Sequence, residues 1–289
     1  MRKDEVKTIK SSYETLEWDG AGTYSWTVPE GVTKINVTTV GGGGGAGYLR
    51  VYNSKNGYYY NGFPGGNGGE VKEGITLNVQ GGDSVSITVG KRGYCPQRTD
   101  WRSDGYRSYT GPNPSQTGNG KDGSPTYLTI NGIKQASTVA NGGYGGQIGY
   151  TKYLSNGVWQ TDQYMTRQKG AFSGAATGAQ IWFGLTKSGF IYGYNGGDSK
   201  YAQGGQINFS DGVRMYKFTN NNYTNKIEYG AASGGGASYG AGASCYSRSS
   251  FIYPKRGGGG ASCQDFTDSG IGDGADGYVK ISYTRIYSD

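Results

Sequence analysis

Five consecutive glycines at positions 41–45 constrain this chain more than any other feature. Ordering glycine costs about 0.5–1 kcal/mol per residue relative to alanine, and the chain contains 57 glycines. Because the net stability of a domain is only about 5–15 kcal/mol, ordered glycines have to make contacts that no other residue allows. Similar runs recur at 65–69, 142–146, 234–236 and 257–260.

The glycine runs have two interpretations. They are flexible linkers, since glycine-rich chains behave as random coils, or they pack side by side as extended three-fold helices. Such a helix rises about 3.1 Å per residue without internal hydrogen bonds, so neighbouring helices have to satisfy one another's backbone groups. Linkers join domains, whereas these runs lie inside one domain between β-branched and aromatic stretches. The sequence therefore favours a packed bundle.

Composition indicates a folded protein with a small conventional core. Aliphatic residues are scarce, which accompanies disorder in some chains, but 27 Tyr, 5 Trp and a net charge of only +7 are unlike a disordered chain. The N-terminal residues lack the apolar region of a secretory signal, and no run is long enough to cross a bilayer. Lys and Arg are spread thinly, so we expect neither nucleic-acid binding nor membrane insertion.

Alternating apolar residues predict an all-β protein. Residues 1–20 are expected to form a polar lead-in or attachment segment, and residues 21–289 one glycine-rich β domain. Gly81-Gly82-Asp83 predicts a hairpin, and Asn131-Gly132 predicts a two-residue turn. Strands are predicted at 24–28, 33–40, 75–79, 85–89, 127–130 and 278–283. Tyr-rich excursions interrupt the domain at about 48–63, 94–116, 147–169, 180–229 and 244–256.

Three stretches resemble a known family. Residues 26–37 (WTVPEGVTKINV), leading into the glycines at 41–45, are similar to the start of glycine-rich domains in bacteriophage tail-fibre and receptor-binding proteins; residues 82–90 (GDSVSITVG) and 274–281 (GADGYVKI) match later landmarks. The resemblance implies a jelly-roll-like β-sandwich whose glycine-rich insertions pack as polyglycine II helices, with variable loops at their tips and little or no α-helix. Related domains occur on bacterial surfaces and in certain receptor tyrosine kinases, so these landmarks specify fold better than function.

The sequence gives little support for a catalytic or metal-binding site. The chain contains no His, which removes Ser–His and Cys–His pairs and the commonest metal ligand. The GASYG stretch at 236–240 lacks the strand-to-helix context of a nucleophile elbow. The GDGADG stretch at 272–277 precedes a strand, so it fails as a dinucleotide fingerprint. It also partly matches one copy of a calcium-binding repeat, with Asp276 as ligand, although such sites need stacked repeats.

We therefore expect a protein that is not an enzyme and has no cofactor or metal. The loop carboxylates Asp100, Asp104 and Asp162 are interpreted as solvated charges. Cys245 and Cys263 bracket the last long loop, and either a disulfide or two buried thiols fits the sequence.

The excursions carry the candidate site. Tyr, Ser, Gly and Asn with scattered Trp and Arg are the residues of antibody paratopes, and aromatic faces with polar neighbours also suit sugars. The alternative is that many Tyr side chains cover the glycine bundle. The candidate receptor-binding residues are Tyr58, Tyr59, Tyr60, Trp101, Tyr106, Tyr109, Tyr153, Trp159 and Tyr164.

The sequence and the resemblance together predict a phage virion protein, a tail-fibre-type adhesin that binds a glycan or an outer surface protein of the host. Other virion or fibre subunits are expected partners, and a homo-oligomer is among the expected assemblies. Three alternatives remain: a structural virion component, such as a head or tail decoration or a fibre cap; a glycine-rich binding domain of a bacterial surface; and a glycan-cleaving enzyme, whose carboxylate pair would leave no mark in the sequence.

Overall fold

A computed structural model describes residues 9–53, 58–62, 64–95, 115–147, 154–155, 158–159, 163–165, 170–179, 181–184, 190–193, 195–206, 215–219, 227–231, 234–247, 250–261 and 272–288. Within these ranges the one helical element is a 3-10 turn at Ala136–Thr138. The strands are β1 (Ile9–Asp19), β2 (Gly22–Thr27), β3 (Lys34–Val40), β4 (Tyr48–Asn53), β5 (Tyr58–Gly62), β6 (Val71–Asn78), β7 (Ser84–Val89), β8 (Ser115–Gly118), β9 (Tyr127–Ile130) and β10 (Ile133–Lys134). They continue with β11 (Leu154–Ser155), β12 (Val158–Trp159), β13 (Gln163–Met165), β14 (Ile181–Gly184), β15 (Phe190–Gly193), β16 (Met215–Thr219), β17 (Ile227–Ala231), β18 (Ser244–Ser247), β19 (Ser250–Ile252) and β20 (Tyr278–Ser288).

Two four-stranded antiparallel sheets form a β-sandwich. Their strand orders are β1-β20-β3-β6 and β10-β9-β7-β2. Side chains alternate between the two faces of each strand, and the inward ones meet in a single core. That core joins Ile35, Val37 and Ile281 of the first sheet to Val85 and Ile87 of the second. The all-β prediction is confirmed.

The hairpin predicted between 75–79 and 85–89 is wrong, although both strands exist. β6 pairs with β3 in the first sheet, and β7 pairs with β2 and β9 in the second. The chain at 79–83 therefore crosses from one sheet to the other. Both strands have one buried face, and alternation by itself does not distinguish a neighbour in the same sheet from a strand across the core.

Most of the predicted polar lead-in is a strand of the sandwich. β1 pairs with β20 over its whole length. Leu16 and Trp18 pack against the core, and Glu14 Oε2 accepts a hydrogen bond from Tyr283 Oη at 2.6 Å. Burial, followed by the hydrogen bond to Glu14, raises the pKa of Tyr283 to about 12. Polar residues at other inward positions hide the alternation of β1 in the sequence.

The glycine run that follows β3 lies at the centre of a bundle of extended segments. Its amides donate hydrogen bonds in three directions, with a repeat of three residues and N···O distances of 2.7–3.0 Å. A three-residue repeat is that of the three-fold extended helix. Gly41, Gly44 and Gly47 donate to segment 64–70, Gly42 and Gly45 donate to segment 120–124, and Gly43 and Ala46 donate to segment 272–276.

The carbonyls of the same run accept hydrogen bonds from three further segments. Gly42 O and Gly45 O accept from segment 141–146, Gly43 O accepts from Gly93, and Gly44 O accepts from Gly260. Segment 41–47 thus has six hydrogen-bonded neighbours, and each neighbour is hydrogen-bonded to the next around it. In ring order they are 64–70, 141–146, 120–124, 91–95, 272–276 and 257–260.

A second hexagon is fused to the first. Segment 234–238 lies at its centre and shares two neighbours, 64–70 and 257–260, with segment 41–47. Gly235, Gly236 and Ala237 donate in three different directions, as the central run of the first hexagon does. The remaining neighbours are 173–179, 195–198, 203–206 and 241–243. We call the two fused hexagons the glycine bundle.

The central segment has no room for side chains. A Cβ added at Gly43 would lie closer than 3.0 Å to Gly258 O, and one added at Gly44 closer than 3.0 Å to Tyr144 O. Both atoms belong to the backbone of neighbouring segments, so neither can move aside as a flexible side chain would. The glycines are required by the spacing of the bundle.

We expect Gly44→Ala to lower the free energy of unfolding by about 3 kcal/mol or more, because overpacking costs about 1–3 kcal/mol and the lateral hydrogen bonds would lengthen. Gly170→Ala is the matched control, since Gly170 has no atom within 4 Å of an added Cβ. Urea unfolding of both variants measures the difference. Equal midpoints for the two variants would contradict the packing described here.

Candidate binding face

The glycine bundle has two different ends. At one end Gly41 follows β3 and Glu70 precedes β6, and the Gly41 amide donates to Glu70 O at 3.0 Å. We call this the sandwich end. At the other end the Gly47 amide donates to Pro64 O at 2.8 Å, and the Gly146 amide donates to Gly45 O at 2.8 Å. We call this the loop end, because the chain leaves the bundle here for the Tyr-rich excursions.

Most excursions begin and end at the loop end. Residues 47 and 64 bracket the first, residues 95 and 119 the second, and residues 179 and 195 another. The excursion after Gly146 differs, because its return at 170–173 lies beside Val71 at the sandwich end, where the Val71 amide donates to Ser173 O at 3.0 Å. The bundle therefore gathers segments that are far apart in sequence at one end of the molecule.

Strands from three separate excursions join in one sheet. Its order is β16-β17-β5-β4-β8, with β17 and β5 parallel and the other pairs antiparallel. The excursions that supply these strands leave the bundle after residues 47, 95 and 206. We call this five-stranded sheet the excursion sheet. Beside it lies a three-stranded sheet, β13-β14-β15.

The register of the excursion sheet aligns aromatic with polar residues. Tyr59 lies opposite Tyr52 on one side and Glu228 on the other, and Glu228 lies opposite Phe218. Because alternate positions of a strand share a face, the row two residues along lies on the same face. That row contains Tyr216, Gly230, Asn61, Arg50 and Gln116.

The sequence-predicted site residues fall into three groups. Tyr58, Tyr59 and Tyr60 lie together on β5, in the middle of the excursion sheet. Trp159 lies on β12 and Tyr164 on β13, in two other sheets. The remaining candidates, Trp101, Tyr106, Tyr109 and Tyr153, lie outside the described residues, as do Asp100, Asp104, Asp162 and Cys263.

Sequence reasoning missed the partners of β5. Tyr52 and Tyr229 lie opposite Tyr59 and Tyr60. The alternation around Tyr52 is a weak strand signal, since it is short and surrounded by Gly and Asn. Nothing local indicates that β17, far along the chain, would add to β5 in parallel.

A family model described as a glycine-rich domain matches residues 19–284. The chain belongs to this glycine-rich domain family. The match covers β2 to β19 and most of β20 but only the last residue of β1. A search of curated proteins found no match.

In the part of the glycine-rich domain that the structure describes, no group of three or more Cys, Asp or Glu side chains is arranged to hold a metal ion. None of the described segments is a helix long and apolar enough to cross a membrane. Ser238, in the GASYG stretch, is buried and its Oγ donates to Gly69 O at 2.6 Å. This hydroxyl therefore joins two segments of the bundle.

Side-chain oxygens complete the bundle where no carbonyl is aligned with an amide. Each accepts a hydrogen bond from the backbone of a neighbouring segment, and at the buried positions this satisfies a donor that would otherwise be costly to bury. The pairs are Asn67 Oδ1 with Gly178 N, Glu70 Oε2 with Asn141 N, Asp122 Oδ1 with Gly145 N, Asp198 Oδ1 with Gly204 N, Asp273 Oδ1 with Cys95 N and Asp276 Oδ1 with Arg92 N, all at 2.7–3.1 Å.

A groove of about 940 Å³ on the flank of the bundle joins β1 to the glycine segments. Arg256 donates in it to Asp19 Oδ2 at 3.0 Å and to Glu17 Oε2 at 3.2 Å. Its guanidinium lies 4.2 Å from the ring centre of Tyr278, whose pKa is raised chiefly by burial. The guanidinium of Arg256 is thus already paired with β1. We interpret this groove as a structural contact between the sandwich and the bundle, not as a binding site.

The acceptor Asp273 is expected to hold the loop end together. Its side chain is buried, and its Oδ1 accepts a hydrogen bond from the amide of Cys95, whose side chain is also buried and which directly precedes the second excursion. Asp273→Ala should lower the free energy of unfolding by about 1–3 kcal/mol, because it leaves a buried donor unsatisfied. It should also speed chemical labelling of Cys95, measured by mass spectrometry of the peptide.

Two control variants sharpen this test. Asp273→Asn keeps an acceptor oxygen and should label at close to the wild-type rate. Asp198→Ala removes the acceptor of Gly204 in the second hexagon, so it should reduce stability without changing Cys95 labelling at low temperature. If Asp273→Ala leaves both stability and labelling unchanged, the acceptor role is wrong.

Proposed function

We propose that this glycine-rich domain is a non-enzymatic phage virion protein of the tail-fibre adhesin type, which binds a host surface receptor through the excursion sheet. The observation that carries the proposal is the aromatic row of Tyr52 and Tyr59 at the loop end of the bundle. The resemblance to tail-fibre domains supports the virion context. The host-facing partner is a surface glycan or an outer surface protein.

The glycine bundle gives the excursion sheet a stiff support. Adhesion loops lose less entropy on binding when their support is already ordered. Lateral hydrogen bonds fix the ends of the excursions, as between Gly47 and Pro64 or between Ala179 and Gly234, at 2.8 and 2.9 Å. The anchors of the excursion sheet are therefore held by the backbone of the bundle.

The composition of the face suits recognition. The two rows on one face of the excursion sheet combine Tyr52, Tyr59 and Tyr216 with Arg50 and Asn61. Tyr supplies a large contact area at low entropic cost, and Arg and amide groups supply directional hydrogen bonds. Aromatic rings also stack on the apolar faces of sugars. We infer that this face, rather than the flank groove, contacts the receptor.

Binding of the purified full chain to a panel of bacterial cells and envelope extracts tests the proposal. Tyr52→Ala and Tyr59→Ala should each weaken binding by about 30-fold, the effect of losing a hot-spot aromatic. Tyr127→Ala is the control, because Tyr127 lies on β9 of the sandwich, where Lys134 Nζ lies 3.8 Å from its ring centre. Cell binding that survives both excursion variants, or that is absent from every strain of the panel, would refute the proposal.

A further inference from the structure

Exposed hydrophobic side chains cluster on one ribbon of the sandwich. Residues 9–13 of β1 and 284–288 of β20 pair with each other beyond Tyr283, the last β20 residue that pairs with β3. Exposed apolar clusters mark interaction surfaces. Four of the seven large hydrophobic residues that are exposed in the described part of the chain lie here: Ile9, Tyr13, Ile286 and Tyr287, at 75%, 70%, 56% and 40% exposure.

Among the strands that the structure describes, β1 is also the longest edge strand of the sandwich. The other edges are β6, β10 and β2. β10 has 2 residues and β2 has 6, while β6 carries a register shift and is covered by Lys200, which pairs with Glu73. β1 runs for 11 residues without a register shift. Open edges of this kind present N–H and C=O groups to which another strand can add.

We propose that two copies of this chain associate by antiparallel pairing of their β1 strands around a two-fold axis at Ser12. The less exposed residues of β1 are Ser12, Glu14, Leu16 and Trp18, which lie on the inner face of the sheet. Shifting the pairing of the two β1 strands by one residue would place inner-face residues of one copy opposite outer-face residues of the other. In a continuous sheet across the two copies, the inner-face residues therefore have to lie opposite one another.

Charge selects the axis among the registers that keep the faces aligned. With the axis at Ser12, Lys10 of each copy lies opposite Glu14 of the other, which gives two pairs of opposite charge. An axis at Tyr13 places Lys10 opposite Leu16, and an axis at Glu14 places two carboxylates together. Glu14 is already oriented by the hydrogen bond from Tyr283 Oη, and a carboxylate has capacity for a further donor.

The same axis brings Ile9 and Tyr13 of the exposed ribbon together across the two copies. Ile9 lies opposite Thr15 of the second copy, which places Tyr13 of that copy at the diagonal position, within reach of a large side chain. The family match begins at residue 19, so it includes only the last residue of β1. The ribbon lies at the end of the sandwich remote from the loop end, and the pairing does not depend on the proposed receptor binding.

Sedimentation equilibrium of the full chain over about two orders of magnitude in concentration is the first test, since dimerisation follows mass action. We expect a reversible change from one to two monomer masses. Lys10→Glu and Glu14→Lys should each weaken the dimer at least about 10-fold through like-charge contacts, and the double swap should restore it. A single monomer mass throughout, or charge variants without effect, would overturn the proposal.

Cysteine cross-linking tests the axis itself. In a background with Cys245→Ser and Cys263→Ser, Ser12→Cys lies opposite its own symmetry mate and should form an inter-chain disulfide under mild oxidation. Thr76→Cys is the control, because Thr76 is an exposed residue of the other edge strand of the same sheet, β6. Equal dimer yields from the two cysteine variants would refute the axis at Ser12.

Discussion

Lateral satisfaction of backbone hydrogen bonds is the constraint on which this structure depends. An extended three-fold segment has no internal hydrogen bonds, so every buried amide needs a neighbour. Segment 41–47 meets this requirement by donating to three segments and accepting from three others. Segments packed at this distance leave no space for a Cβ, as at Gly43. The need for lateral hydrogen bonds therefore explains both the high glycine content and the bundle architecture.

The same constraint explains where the bundle admits side chains and how it positions the rest of the molecule. Asn67, Asp122 and Asp273 occur where an amide lacks an aligned carbonyl, and their oxygens take the place of the backbone acceptor. The bundle also sets the ends of the excursions at fixed positions, which allows β5 and β17 to pair although they are far apart in sequence. The proposed recognition residues thus lie outside the glycine segments, on strands that the bundle holds in place.

The parts of the fold that follow from local pattern were predictable, and those that depend on long-range partners were not. Alternation located β3 and β7, because each has one buried face. It did not reveal that β6 and β7 belong to different sheets, or that β1 adds to β20, since pairing partners leave no local signal. At the candidate site, composition pointed to Tyr58–Tyr60, but the register with Tyr52 and Glu228 depends on where the bundle delivers three separate excursions.

Amide hydrogen exchange of the glycine run tests the lateral hydrogen bonding of the bundle most directly, because a hydrogen-bonded amide exchanges only when the structure around it opens. In uniformly isotope-labelled protein, the amides of Gly43, Gly44 and Gly45 can be compared with those of Val37 and Ile281 in the sandwich core. The hydrogen-bonded hexagon predicts that the three glycine amides are protected to a degree comparable with the core strands. Exchange of all three at the rate of an unstructured peptide would contradict it.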